Sequence, residues 1–192
     1  MPIITLTTDL GLKDFYVAAV KATILRQLDP VHIVDISHEI EKFSIAQAAY
    51  HIRNVFKEFP EGTVHIIGVR PELSTKNAHV VVRKNGQYLI GADNGIFSFI
   101  FNEPVDEVFE LTISQDTDDL TFPTKDVFTK AAIHLAKGGT PEVIGRKTEL
   151  KNVFSRLQPI TDANSIRGHV TYIDSYENVM TNISEQMFQD IG

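Results

Sequence analysis

Ile3-Ile4-Thr5-Leu6-Thr7-Thr8-Asp9-Leu10-Gly11-Leu12-Lys13-Asp14-Phe15-Tyr16 is the stretch on which the fold class turns. Ile3 to Leu6 is a short apolar run that gives way to polar residues and a glycine, the pattern of a buried strand feeding a loop. From Asp14 onward apolar residues recur at helical spacing, through Phe15, Val17, Ala18, Val20, Ala22, Ile24, Leu25 and Leu28. Asp14 is placed to cap this helix and Asp29-Pro30 to stop it.

Working outward, Ile33 to Ile36 reads as a second strand, and Ser44 as the cap of a second helix with the face Ile45, Ala48, Ala49, Ile52, Val55 and Phe56. Val64 to Val69 is a third strand. This strand–helix–strand–helix–strand order predicts an α/β domain with a largely parallel central sheet. Ala78 to Arg83 and Gln87 to Gly91 flank Lys84-Asn85-Gly86, a hairpin signal. Gly95 to Phe101 reads as a short buried helix, and Val105 to Leu111 as a strand. Ser114 to Leu120 reads as a solvated acidic loop, and Asp126 to Ala136 as a helix ended by Gly138-Gly139. The polar stretch Thr161 to Arg167 is the preferred boundary. It gives an N-terminal domain over 1–163 and the start of a β-rich domain over 164–192, cut short by Gly192.

The chain has 192 residues, 43% hydrophobic and 22% charged, ordinary values for a globular protein with a full core. Its net charge of −7 lacks the basic clusters of a duplex nucleic-acid binder. With no cysteine there is no disulfide, thiolate nucleophile or cysteine-ligated metal. No apolar run approaches the ~20 residues of a membrane span, and the N-terminus lacks the pattern of a signal peptide. A cytoplasmic enzyme or binding protein, with no nucleic acid or membrane as partner, is the expectation. The histidines show no metal-ligand spacing, so no metal site is expected.

Asp9 falls where the first strand meets its loop, and in open α/β sheets ligands collect beyond the carboxyl ends of strands. Its carboxylate can accept both hydroxyls of a ribose, or it can cap local amides. Asp14 is either a helix cap or a site residue. Phe43 precedes the second helix, where core packing is the plainer role. Asp93-Asn94-Gly95 follows a strand and opens a helix, as a tight turn or as a group of polar groups at a strand end.

Taken together, Ile4 to Tyr16, Ile33 to His38, Phe59 to His65, Ala92 to Gly95 and Asp174 to Ile183 resemble the S-adenosylmethionine hydroxide adenosyltransferase family, relatives of the fluorinases and chlorinases. The resemblance covers nearly all of the chain, in order and with compatible gaps. It implies an N-terminal α/β domain and a smaller C-terminal β-barrel. It also implies a homotrimer in which S-adenosylmethionine, as substrate or ligand, lies between one subunit's first domain and its neighbour's second. No separate cofactor is implied. By the resemblance Asp9 holds the ribose diol, Phe43 lies beside the ligand, and Asp93 and Asn94 line the site. Asp174 holds the methionine amino group and Asn178 lines the adenine, both acting in trans.

The chemistry implied is in-line attack at C5′ of the adenosyl group with methionine as leaving group. Hydrolytic members orient water with an Asp, an Arg and a His; at the matching positions this chain has Arg70, Asn77 and Pro123. An Arg in place of an Asp opposes a cationic sulfonium by about 4 kcal/mol at about 4 Å with an effective dielectric near 20. No catalytic residue is therefore carried over. Halide-using relatives also lack the full trio and hold an anion with amides and hydroxyls. Ser74, Thr75 and Thr124 are the candidates here, and Arg70 can help hold an anionic nucleophile. Three readings follow: an adenosyl-transferring or hydrolase-like enzyme with an altered nucleophile pocket, a non-catalytic binder of adenosine or an adenine nucleotide, and a structural protein on the same scaffold.

Overall fold

The computed structural model describes residues 1–116, 121–155, 157–162 and 164–190. They divide into two compact units, 1–153 and 154–192.

The first unit is built on a seven-stranded sheet of order β2-β1-β3-β5-β4-β6-β7. The strands are β1 (Ile3–Thr8), β2 (His32–Ser37), β3 (Val64–Gly68), β4 (His79–Lys84), β5 (Gln87–Ala92), β6 (Glu107–Leu111) and β7 (Gly145–Thr148). β2, β1, β3 and β5 pair in parallel; β4 is antiparallel to both β5 and β6, and β7 to β6. Five of the seven strands, β1, β2, β3, β5 and β6, thus point the same way, as the alternating strands and helices predict.

Helices cover both faces. On one, Ile4 and Leu6 of β1, Val64 and Ile66 of β3 and Ile90 of β5 pack with Val20 and Ile24 of α1 (Tyr16–Gln27) and Ala131 and Leu135 of α4 (Thr129–Ala136). On the other, Ile67, Leu89, Val80 and Val82 pack with Ala48, Ala49 and Ile52 of α2 (Ile45–Val55) and Phe97 and Ile100 of α3 (Ile96–Ile100). Strand periodicity of two sends alternate residues to the two layers, so β3, β4 and β5 carry apolar residues into both, whereas β1 gives Ile4 and Leu6 to one layer and the buried threonines Thr5 and Thr7 to the other.

β1 has β2 on one side and β3 on the other, and the chain winds outward from it in both directions. The crevice at such a switch point opens beyond the carboxyl ends of the strands. The ends of β1 and β3 meet there in register, Thr8 opposite Gly68.

Most local expectations hold, with four differences. Asp14 is not a cap: the helix begins at Tyr16 behind Phe15, with no side-chain cap bond. Ser44 does cap α2, its hydroxyl accepting from Gln47 N at 3.4 Å. Residues Thr124–Phe128 form a π-helical turn ahead of α4, in which Phe128 N donates to Pro123 O at 3.0 Å, so helical structure starts before Asp126. α5 (Pro141–Ile144) and edge strand β7 were not foreseen; β7 is short and largely polar, and only its pairing to β6 makes it a strand. Of the acidic loop, 117–120 lies outside the described residues.

The hairpin is as expected. Asn85 and Gly86 both have positive φ, 50° and 71°, the requirement of a two-residue turn between β4 and β5.

The second unit holds two hairpins, β8–β9 (Ile160–Asp162, Ser165–Arg167) and β10–β11 (Val170–Ile173, Val179–Thr181), and the short helix α6 (Glu185–Gln189). The polar stretch read as a boundary is the first of these hairpins, and the units divide earlier, between Val153 and Phe154. None of the unit's described residues is buried, and Tyr176, Phe188 and Ile173 are exposed. Among the described residues no helix is long and apolar enough to cross a membrane.

Candidate functional site

Three strand ends, β1, β3 and β5, build the candidate site. Asp9, one residue past β1, is 8% exposed. Its Oδ2 accepts from Phe43 N at 2.8 Å, and its backbone carbonyl accepts from Lys42 Nζ. Among the described residues Oδ1 has no partner, so one carboxylate oxygen is anchored and the other is available. Phe43 adopts φ 65° to deliver its amide, leaving its ring 61% exposed. Of Asp9's two sequence readings, capping of local amides is not what forms: the amide bound is that of Phe43, 34 residues on, and it uses only one oxygen.

The segment that follows β2 wraps the loop that follows β1. Besides the Lys42 and Phe43 contacts, Gly11 N donates to His38 O at 2.8 Å and Leu12 N to Glu39 Oε1 at 3.1 Å. Gly11, at φ 71°, makes the turn. Deeper in, Thr8 Oγ1 and His38 Nδ1 are 2.8 Å apart, and His38 Nε2 faces Asp35 Oδ1 at 3.0 Å, off the axis of a straight hydrogen bond. Asp35 Oδ2 takes Lys21 Nζ at 2.5 Å. Burial works to raise the Asp35 pKa, but the Lys21 hydrogen bond and the His38 imidazole facing it outweigh burial and hold the carboxyl below its ordinary value.

At the end of β3, Arg70 is exposed and left-handed, φ 48°. The Asn94 amide pins this turn, donating to Val69 O at 3.3 Å and Arg70 O at 3.0 Å, while Asn94 Oδ1 accepts from Ile96 N at 3.2 Å and caps α3. Asn94 thus ties the β3 loop to the β5 turn, with all its contacts to protein. Asp93 is 2% exposed; Oδ2 accepts from Lys151 N at 2.7 Å, and Oδ1 is buried without a partner among the described residues. Burial raises its pKa, against the bonds from Lys151 and Asn152. Asn152 Nδ2 joins Asp93 O (2.6 Å) to Lys76 O (2.8 Å) and so fastens the 70–77 loop. Within that loop Ser74 is exposed, but its hydroxyl is engaged by the loop itself, accepting from Lys76 N (3.2 Å) and Asn77 N (3.0 Å).

Thr124 enters from the π-helical turn. A Cβ on Gly68 would lie 2.7 Å from Thr124 Oγ1 and Cγ2 and 3.1 Å from Thr8 Cγ2, so the absence of a side chain at 68 is what lets this turn reach the strand ends. Thr124 Oγ1 is buried and unpaired among the described residues. Pro123, beside it, is also buried. Tyr16 meets Phe122 edge-on at 5.5 Å and stacks with Phe15 at 4.6 Å.

The structure therefore brings Asp9 and Phe43 into contact, and likewise Arg70 and Asn94. It leaves Asp14 exposed, with no hydrogen bond or ion pair among the described residues. Asp174 and Asn178 belong to the second unit, where they bond each other. Asp174 Oδ1 accepts from Asn178 N and Tyr176 N, and Oδ2 from Asn178 Nδ2, each at 2.9 Å. The side-chain hydrogen bond from Asn178, then its backbone amide, lowers the Asp174 pKa. Sequence reading missed Lys42, His38 and Asn152. For His38 the signal was its i,i+3 spacing from Asp35 at the end of a strand. Lys42 and Asn152 act on backbone carbonyls, which leave no mark in a sequence.

A carboxylate held at the switch point of an α/β sheet is the arrangement of a small-ligand-binding protein. The chain belongs to the SAM hydroxide adenosyltransferase family: residues 4–145 match the model of the SAM hydroxide adenosyltransferase N-terminal domain. It is 29% identical to an (R)-S-adenosyl-L-methionine hydrolase of Methanocaldococcus jannaschii, over 96% of this chain and 68% of that protein. It is 28% identical to a fluorinase of Nocardia brasiliensis, over 100% and 74%. Among solved structures, an uncharacterized conserved protein from Thermotoga maritima superposes with a TM-score of 0.86 at 28% identity, covering 100% of this chain and 74% of that one.

Proposed function

We propose that this chain binds S-adenosylmethionine at the ends of β1, β3 and β5 and supports substitution at C5′ of the adenosyl group, through a nucleophile pocket that differs from that of the hydrolytic relatives. The observation that carries this reading is the hold on Asp9. One oxygen is fixed by Phe43 N and the other is open, so the carboxylate is oriented before any ribose arrives. In the reaction the nucleophile forms a bond to C5′ as the C5′–S bond breaks, its electron pair passing to sulfur. The thioether leaves without a proton, so no general acid is needed, and alignment in a dry pocket is what the protein supplies.

The altered pocket is supported by Pro123, Thr124 and Arg70. Pro123 is buried and its side chain cannot accept a proton from water. Thr124 Oγ1 has a hydrogen to offer and no protein partner among the described residues. Arg70 is exposed and without an ion-pair partner among the described residues, so it can reach an anion. In this reading Asp174 and Asn178 complete the site from a neighbouring subunit of a homotrimer, in the cytoplasm. A second reading, binding of an adenine nucleotide without turnover, is favoured by the exposed Arg70 cation beside the strand ends.

The test is incubation with S-adenosylmethionine, with chloride and without, following adenosine, 5′-chloroadenosine and methionine by mass spectrometry beside a relative that carries the trio. Methionine release with either adenosyl product supports substitution at C5′. No product, with the relative active and AMP bound more tightly than adenosine, shifts the assignment to the second reading. Adenosine formed at the relative's rate, independent of chloride, would overturn the altered pocket.

A further inference from the structure

We infer that His38 is a positioning residue for the ribose-binding carboxylate: it holds Thr8, and through Thr8 the turn that presents Asp9. The inference rests on the reading of Asp9 given above. Thr8 Oγ1 accepts from Leu10 N at 3.4 Å, closing a small turn around Asp9. The same oxygen is 2.8 Å from His38 Nδ1, so the rotamer that closes the turn is fixed from behind by the imidazole. Thr8 is 1% and His38 4% exposed, and neither has an alternative partner in water.

His38 in turn is held at two points. Its carbonyl accepts from Gly11 N at 2.8 Å, and its ring sits against Asp35, which is bound to Lys21 at 2.5 Å. The four residues from Thr8 to Gly11 are thus bonded to His38 at both ends, with Asp9 between. The Lys42 and Phe43 contacts hold Asp9 itself; His38 holds the frame in which it sits. Because Thr8 Oγ1 is the only side-chain acceptor for Leu10 N among the described residues, a lost imidazole frees the Thr8 rotamer and loosens that frame.

The test compares adenosine with 2′,3′-dideoxyadenosine by titration calorimetry on the full chain, as wild type and as His38→Ala, His38→Asn and His38→Gln. An asparagine carbonyl falls where Nδ1 stood and can still bond Thr8; a glutamine reaches the Nε2 position and cannot. Hydrogen bonds to a carboxylate give the wild type a preference for adenosine of about tenfold or more. His38→Ala and His38→Gln should lose most of that preference, through weaker adenosine binding with dideoxyadenosine unchanged, and His38→Asn should keep it. Asparagine and glutamine variants with equal preferences would overturn the inference, even if His38→Ala does not fold. A merely structural role would weaken both ligands alike. A wild type that binds the two ligands equally would remove the ribose role of Asp9 itself, and the inference with it.

Discussion

The side-chain amide of Asn94 donates to the carbonyl of Arg70 at 3.0 Å, joining the loop after β3 to the turn after β5. A second bond to Val69 O and a cap on Ile96 N complete its work. Asn94→Ala should cost about 2–3 kcal/mol, since it leaves buried backbone groups without partners. Asn94→Asp should cost more, because a carboxylate would face two carbonyl acceptors. Urea denaturation ranks the pair, and an Asp variant as stable as the Ala variant would contradict this account.

Gly68 and Thr124 should behave as one unit. Gly68→Ala places a methyl group 2.7 Å from the Thr124 side chain and should destabilise by about 1–3 kcal/mol. Adding Thr124→Ala removes the obstruction, so the double variant should recover at least about 0.5 kcal/mol relative to the sum of the single effects. Thr124→Val keeps the shape and removes an unpaired buried hydroxyl, so it should leave stability unchanged or raised. Additive costs in the cycle would show that the two residues do not press on each other.

His65 should make the fold acid-sensitive. It is enclosed between Thr5 Oγ1 (2.7 Å) and Gln87 Oε1 (2.8 Å), and burial lowers its pKa to about 4 against the Gln87 bond. Because the folded value lies below the unfolded value of 6.5, the unfolded chain binds the proton first. Stability is full above about pH 6.5 and falls toward pH 4, by about 3 kcal/mol over the window. Asp93, whose pKa is raised, acts in the opposite sense. The comparison is therefore the difference between wild type and His65→Asn, whose stability should depend less steeply on pH from 6.5 to 4. Parallel profiles would assign the acid sensitivity elsewhere.

Arg70 combines a backbone and a charge effect that two substitutions separate. Its φ of 48° disfavours a residue with a Cβ, so Arg70→Gly should raise the thermal midpoint, by a gain of up to about 1 kcal/mol. Arg70→Asp should shift binding away from AMP relative to adenosine, since it replaces the cation at the β3 end. An unchanged AMP-to-adenosine ratio would show that Arg70 does not meet the ligand's anionic end.

The strands of the parallel half, both long helices of the first half and the Asn-Gly hairpin were readable because each rests on local periodicity or a local turn. Edge strand β7 was not readable: Gly145 to Thr148 carries no apolar alternation, and its structure comes from the hydrogen bonds of β6. At the candidate site, the position of Asp9 at the end of β1 was readable from the apolar run before it. The role of Asn94 was only half readable, since its spacing marks a turn but nothing local shows that its amide reaches Val69 and Arg70. Asp14 misled because an acid before an apolar helix usually caps it, whereas here the helix starts two residues later behind Phe15. Ser74 is a hydroxyl in a loop, and only the folded loop shows it occupied by the amides of Lys76 and Asn77.

The π-helical turn at Thr124–Phe128 acts as a spacer. Such a turn holds one residue more than the α-helical turn it stands in for, and that residue is what seats Thr124 against Gly68 while leaving α4 in its place on the sheet. Deleting one residue within 125–128 would let the helix run on as an unbroken α-helix, with its circular dichroism preserved. The strand-end cluster would nonetheless come apart, because every residue on the N-terminal side would be rotated by about a hundred degrees about the helix axis. Length in this segment, rather than helical content, is the quantity under constraint.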